Sequence, residues 1–222
     1  MQIIIFLIFA LGIVFGAHFF LTFSVIKFFS ISSRNIKIIL TLLAILLPLA
    51  FLAALILARW KDNFFTRAFY AGAAGWFGVL VNLLIACVIV WAVTSPLPPP
   101  QRRGDYRIIA AIFLIAALIY SGYGFYNAQN PQIKNLTVKI KKLPENWKNK
   151  KIVHIADVHP GHINRANFLK KIVNKINQVE PDAVYGLYTD GDFNLYTTNG
   201  AGTWGPPMRT GNTPEIVVIE QE

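Results

Sequence analysis

Four stretches of the chain, 3–26, 38–58, 68–93 and 108–126, are apolar on every side and show no water-facing stripe. Each comes near or exceeds the roughly 20 residues that a helix needs to cross a hydrocarbon core about 30 Å thick. All-apolar runs carry no helical or strand period, but this length predicts helices. The stretches are punctuated by charge and proline. Arg59-Trp60-Lys61 closes the second, and Arg102, Arg103 and Arg107 precede the fourth. Pro96, Pro98, Pro99 and Pro100 predict an extended, helix-free third connection. The first stretch lacks a positively charged start and is too long for a cleaved leader, so it is expected to be a span.

The pattern changes after Asn130-Pro131. Over 136–143, Leu136, Val138 and Ile140 alternate with Thr137, Lys139 and Lys141, which predicts a half-exposed strand. The run 151–157, KIVHIAD, predicts a buried strand of an α/β sheet. Phe168, Leu169, Ile172, Val173 and Ile176 then recur at helical spacing, with Lys170, Lys171, Asn174 and Lys175 on the other face. Asn164 suits the N-cap, Pro181 closes the unit, and 183–188 predicts another strand. The expected architecture is therefore a four-span helical membrane domain over 1–130, followed by a small α/β fragment over 131–222.

Composition agrees with this division. Hydrophobic residues make up 55% of the 222 and charged residues 14%, with mean hydropathy +0.48. Soluble chains carry about 25% charged residues. The net charge is +10, with most lysines beyond Lys134 and the first half nearly free of acids. In a membrane protein it implies attraction to anionic headgroups. No aromatic-basic module of a nucleic-acid reader is present, so no nucleic-acid partner is expected. The single Cys87 forms no internal disulfide. Lys and Arg flank the spans on both sides, so the positive-inside rule leaves orientation open.

Within the spans, His18 has no acidic residue to pair with, and it is expected to be a neutral hydrogen-bonded group between helices. Pro48 predicts a kink. Ala71, Gly72, Ala74, Gly75 and Gly78 predict a small-residue packing face.

Chemistry is to be sought beyond the first strand of the strand-helix-strand unit, because ligands in α/β sheets bind outside the carboxyl ends of strands. Asp157-Val158-His159-Pro160-Gly161-His162 lies there. Asp157 and His159, two residues apart, point to one side if the strand continues. A carboxylate with an imidazole suits Mn, Fe or Zn better than Ca or Mg. The alternative is a loop in which the Asp caps the helix and the His is exposed. His162 has an open role. Arg209, in a glycine- and proline-rich loop, is either a substrate contact through its guanidinium fork or a surface arginine. His154 is expected to be a packed core histidine.

The segment 147–163, WKNKKIVHIADVHPGHI, resembles the first motif of the calcineurin-like metallophosphoesterases, in the branch whose enzyme domain follows membrane helices. The tail 196–220 is similar to the C-terminal end of that branch. The resemblance implies an α/β sandwich around a pair of divalent metals that activate a bridging water. It implies that Asp157 and His159 are metal ligands. Pro160 departs from the leucine usual at its position.

The resemblance also implies motifs that this sequence lacks. The family continues with a Gly-Asp motif, then Gly-Asn-His, then two later histidines. No histidine follows His162, and Asn199-Gly200 is not followed by one. Gly191-Asp192 sits in the tail-like piece and is expected to be turn chemistry. The soluble half is thus expected to join a family-like N-terminal part, 131–184, directly to a C-terminal tail, 185–222. Three functions follow as expectations. One is a membrane-anchored, metal-dependent phosphate-ester hydrolase, acting on a lipid-linked or other phosphate ester and impaired here. The second is a non-catalytic, truncated relative. The third is a small channel or transporter, which the absence of paired intramembrane charges disfavours. Location in the cell membrane, as a multi-pass protein, is expected throughout.

Overall fold

The structure is a computed structural model and describes residues 2–95, 102–156, 158, 163, 166–185 and 214–221. Contacts divide the chain into two compact units, Met1–Gly122 and Tyr123–Glu222.

Four helices carry the apolar stretches: α1 (Gln2–Phe28), α2 (Arg34–Trp60), α3 (Phe64–Thr94) and α4 (Arg102–Ala128). Their span-capable parts run to 25, 27, 31 and 22 residues. At about 1.5 Å per residue each is long enough to cross a bilayer. Large apolar side chains stand outward along them, among them Phe6, Phe9, Leu46 and Ile119 at 56–68% exposure. Contiguous apolar surface of that kind belongs in lipid rather than water.

α3 is the central helix of the first unit, with Ala74, Gly75, Gly78, Leu83, Ala86, Cys87 and Val90 buried. The small-residue face expected on α3 is narrower than its sequence implied. Ala74, Gly75 and Gly78 are buried, whereas a Cβ added at Gly72 would meet nothing within 4 Å. Gly72 lies one turn before Gly75, nearer the start of α3, where no neighbour approaches it. The start of α3 is set by a reciprocal cap. Asn63 Oδ1 accepts from the Thr66 amide at 2.9 Å, and Thr66 Oγ1 accepts from the Asn63 amide at 3.1 Å. Pro48 lies buried within α2, which continues through it.

Polar side chains inside the first unit are paired. Trp76 Nε1 donates to His18 Nε2 at 3.0 Å, and His18 Nδ1 lies 2.8 Å from the Val14 carbonyl oxygen. An indole N–H can only donate, so Nε2 is the acceptor and the proton sits on Nδ1. His18 is therefore a neutral link between α1 and α3, as expected from the sequence. Asn82 donates to Ser121 at 2.9 Å, and Trp91 donates to Ser24 at 2.9 Å.

The second unit holds a four-stranded mixed sheet in the order β1 (Gln132–Val138), β4 (Glu215–Gln221), β2 (Lys151–His154) and β3 (Ala183–Tyr185). β1 and β4 are parallel, β2 and β4 antiparallel, and β2 and β3 parallel. Helix α5 (Ala166–Gln178) connects β2 to β3. Phe168, Ile172 and Ile176 pack on Val153, Ile216 and Val218, with Ile133 and Ile155 at the margin. Val217, which alternates to the opposite face, is also fully buried. β4 is thus buried on both faces over 216–218, which accounts for its unbroken Ile-Val-Val run.

Two strand expectations shift. The first strand covers 132–138 rather than 136–143, because its partner β4 ends at Gln221 opposite Val138. The register with β4 does not run past Val138 among the described residues, and Ile140 is 39% exposed. β2 stops at His154, where its register with β3 and β4 ends.

Candidate functional site

The strand-helix-strand unit sets the geometry. Ile152 faces Ala183, Val153 faces Val184 and His154 faces Tyr185. Parallel pairing in that register brings the carboxyl ends of β2 and β3 to one edge of the sheet. β4 runs the other way, with Val217 opposite His154, so its beginning lies at the same edge. The segment with Asp157, His159 and His162 leaves from β2 at this edge. The connection 186–213, which contains Arg209, leaves from β3 and returns to β4 there as well. The carboxyl ends of parallel strands are where α/β sheets commonly bind ligands.

Asp157, His159, His162 and Arg209 lie outside the described residues, as do Pro160, Asn164, Gly191, Asp192 and the proline run of 96–100. Among the described residues, no group of three or more His, Cys, Asp or Glu side chains is placed to hold a metal ion.

One observation marks the edge as polar. His154 Nε2 is buried and has no hydrogen-bond partner among the described residues. Buried ring nitrogens are nearly always partnered by protein, water or an ion. This one sits three residues before Asp157, on the strand that delivers the Asp-Val-His segment. Its position fits a bound water or other polar group at this edge. It also bears on the expectation of a packed core histidine: His154 lies in β2, with Nε2 unpartnered among the described residues.

Asp182 has a different job. Its Oδ1 accepts from Lys150 Nζ at 2.7 Å, and its Oδ2 accepts from the Lys151 amide at 2.9 Å. The Asp182 amide in turn donates to the Lys151 carbonyl at 2.9 Å. These bonds, led by the one from Lys150, hold the carboxyl below its ordinary range. Asp182 thus ties the beginnings of β2 and β3, at the end of the sheet away from the Asp-Val-His segment. Sequence spacing gave it no role. The lysine pair at 150 and 151 was the available signal, and only strand pairing brings it to Asp182.

Comparison with known proteins finds partial matches to metallophosphoesterases. The chain is 30% identical over 82 residues to a zebrafish (Danio rerio) protein named transmembrane protein with metallophosphoesterase domain. It is 33% identical over 87 residues to an uncharacterized metallophosphoesterase of Helicobacter pylori, and 32% identical over 90 residues to one of Campylobacter jejuni. The relatives of this chain are metallophosphoesterases. The matches take in 36, 39 and 38% of this chain and 18, 23 and 23% of the relatives. The chain therefore spans about a fifth of the length of the relatives it matches. No protein-family model matches it, and no solved structure does. Divalent metals belong to the chemistry of the metallophosphoesterase relatives. The zebrafish relative, by its name, combines a transmembrane part with a metallophosphoesterase domain.

Proposed function

We propose that the chain is a membrane-anchored metallophosphoesterase-type protein with impaired hydrolysis of phosphate esters. The observation that carries this reading is the shared carboxyl edge of β2 and β3, with Asp-Val-His directly beyond β2. Asp157 and His159 would hold a divalent ion of the Mn, Fe or Zn class. Bound there, such an ion supplies Lewis acidity and lowers the pKa of a coordinated water. The orphaned Nε2 of His154 supports a water or polar group at the same edge. Arg209 and His162 are proposed phosphate contacts, because the connection carrying Arg209 begins and ends at that edge.

Impairment follows from ligand counting. A two-metal centre needs several protein ligands per ion, and no histidine follows His162. Asp182, a spare carboxylate by sequence, is committed to Lys150 and Lys151. The four span-length helices support multi-pass residence, proposed here for the cell membrane, and a lipid-linked phosphate ester would be within reach of such an anchor. The non-catalytic alternative rests on the same missing ligands.

Metal content and turnover of a generic phosphodiester by the purified full chain test the proposal. The expected result is divalent metal bound in the wild type, lost in Asp157→Ala, with turnover far below that of a complete metallophosphoesterase. Absence of bound metal would overturn the assignment of Asp157 and His159. Vigorous metal-dependent turnover, abolished by Asp157→Ala, would overturn the impairment.

A further inference from the structure

Helix α5 divides into two faces of opposite character. Phe168, Ile172 and Ile176 are buried against the sheet. Asn167, Lys170, Lys171, Asn174, Lys175 and Gln178 line an open depression of about 470 Å³ on the other side. The helix contains three lysines and no acidic residue. Among the described residues neither Lys170 nor Lys175 joins an ion pair. The amides of Asn167 and Asn174 add neutral donors between the cations.

The position of this face is fixed by one of its own lysines. Lys171 Nζ donates to the Gln129 carbonyl oxygen at 2.5 Å and to Asn130 Oδ1 at 2.7 Å. Those acceptors lie just past Ala128, where α4 ends. Asn130 Nδ2 meanwhile donates to the Tyr126 carbonyl at 2.7 Å, in the last turn of α4. A cation at a helix C-terminus is favoured by the free carbonyls and the dipole there. A span must end at a bilayer surface, so Lys171 tethers α5 to the surface where α4 emerges.

We propose that the lysine-asparagine face of α5 binds the headgroup phosphate of anionic phospholipids at that surface. The cations match the sign of the headgroup, and the amides match its phosphate oxygens. The tether holds the face to the residues that follow α4, and headgroups are the abundant anions where a span ends. This site does not depend on any hydrolytic activity of the chain.

The test uses the full chain in detergent, given equimolar phosphatidylglycerol and phosphatidylcholine, with retained lipid counted by native mass spectrometry. The wild type is expected to retain phosphatidylglycerol in preference. Lys170→Gln/Lys175→Gln keeps the Lys171 tether and is expected to lower that retention roughly tenfold, since each lysine near a surface contributes severalfold. Lys139→Gln/Lys141→Gln removes the same charge elsewhere and is expected to change it little. Equal retention of the two lipids would overturn the proposal and leave the face to an acidic protein partner. Equal losses in both double variants would also overturn it, as charge alone would then explain the retention. Displacement of the lipid by inorganic phosphate would assign the face to a free anion instead. A thermal melt of each variant separates loss of binding from loss of folding.

Discussion

His18 shows how a single polar residue can be accommodated in a span. It is 2% exposed, and both ring nitrogens are engaged, one by Val14 and one by Trp76. Trp76→Phe keeps an aromatic ring and removes the donor. Interhelical hydrogen bonds in membranes average about 0.6 kcal/mol and reach about 1.7. A loss of about 1 kcal/mol in detergent-solubilised thermal stability is expected, and His18→Phe/Trp76→Phe should cost less than the two single changes summed. Strict additivity would show that the bond contributes nothing. Gly72 presents the opposite case, since open space surrounds it within the helix. Gly72→Ala is expected to be neutral or to stabilise by up to about 1 kcal/mol. A clear drop in melting temperature would reveal a contact there.

Asp182 couples folding of the second unit to pH. Its carboxyl is held below the ordinary value near 3.9, chiefly by the hydrogen bond from Lys150. A depressed folded-state value means that the charged form stabilises the fold. That contribution is full above the ordinary carboxylate range and is lost as pH falls through the lowered value. Asp182→Asn should therefore flatten the acid limb of a stability-versus-pH curve for the second unit. An unchanged limb would show that the tie between β2 and β3 carries no linkage.

At the scale of elements, α5 and β4 hold the second unit together. Ile172 is 2% exposed and packs among Val153, Ile216 and Val218. Ile172→Ala removes three buried carbons and leaves a cavity, at a cost of about 2–5 kcal/mol. The expected signature is loss of hydrogen-exchange protection in α5 and β4, with protection of α3 unaffected. α5 was legible from its spacing, since its apolar positions recur every three or four residues. β4 was not assigned from the sequence at all. Its Ile-Val-Val run lacks the alternation of a half-exposed strand, because both of its faces are buried over 216–218. Nor could the sequence tell that the last strand inserts between the first two, since register between distant segments leaves no local mark.

At the scale of the whole molecule, the four helices are long and apolar enough to cross a bilayer. Alkaline carbonate is expected to leave the chain in the membrane pellet, whereas detergent should release it. Release by carbonate would mean that the helices do not span. The shared edge of the sheet, where β2 and β3 end and β4 begins, is the place proposed for the candidate chemistry. The Asp-Val-His segment was visible in the sequence as a motif. Its shared edge with the connection that carries Arg209 follows from the antiparallel pairing of β4 with β2.

The sequence by itself determined the membrane spans, the amphipathic helix and the Asp-Val-His segment. Each rests on local information: apolar length, helical period, or residue types a few positions apart. Tertiary structure decided what distant residues do to one another. It set the Trp76 partner of His18, the capture of Asp182 by Lys150, the central place of β4 and the tether of Lys171 at the end of α4. Each of these pairs residues far apart in the chain, and only the packed fold brings such residues within hydrogen-bonding or van der Waals range.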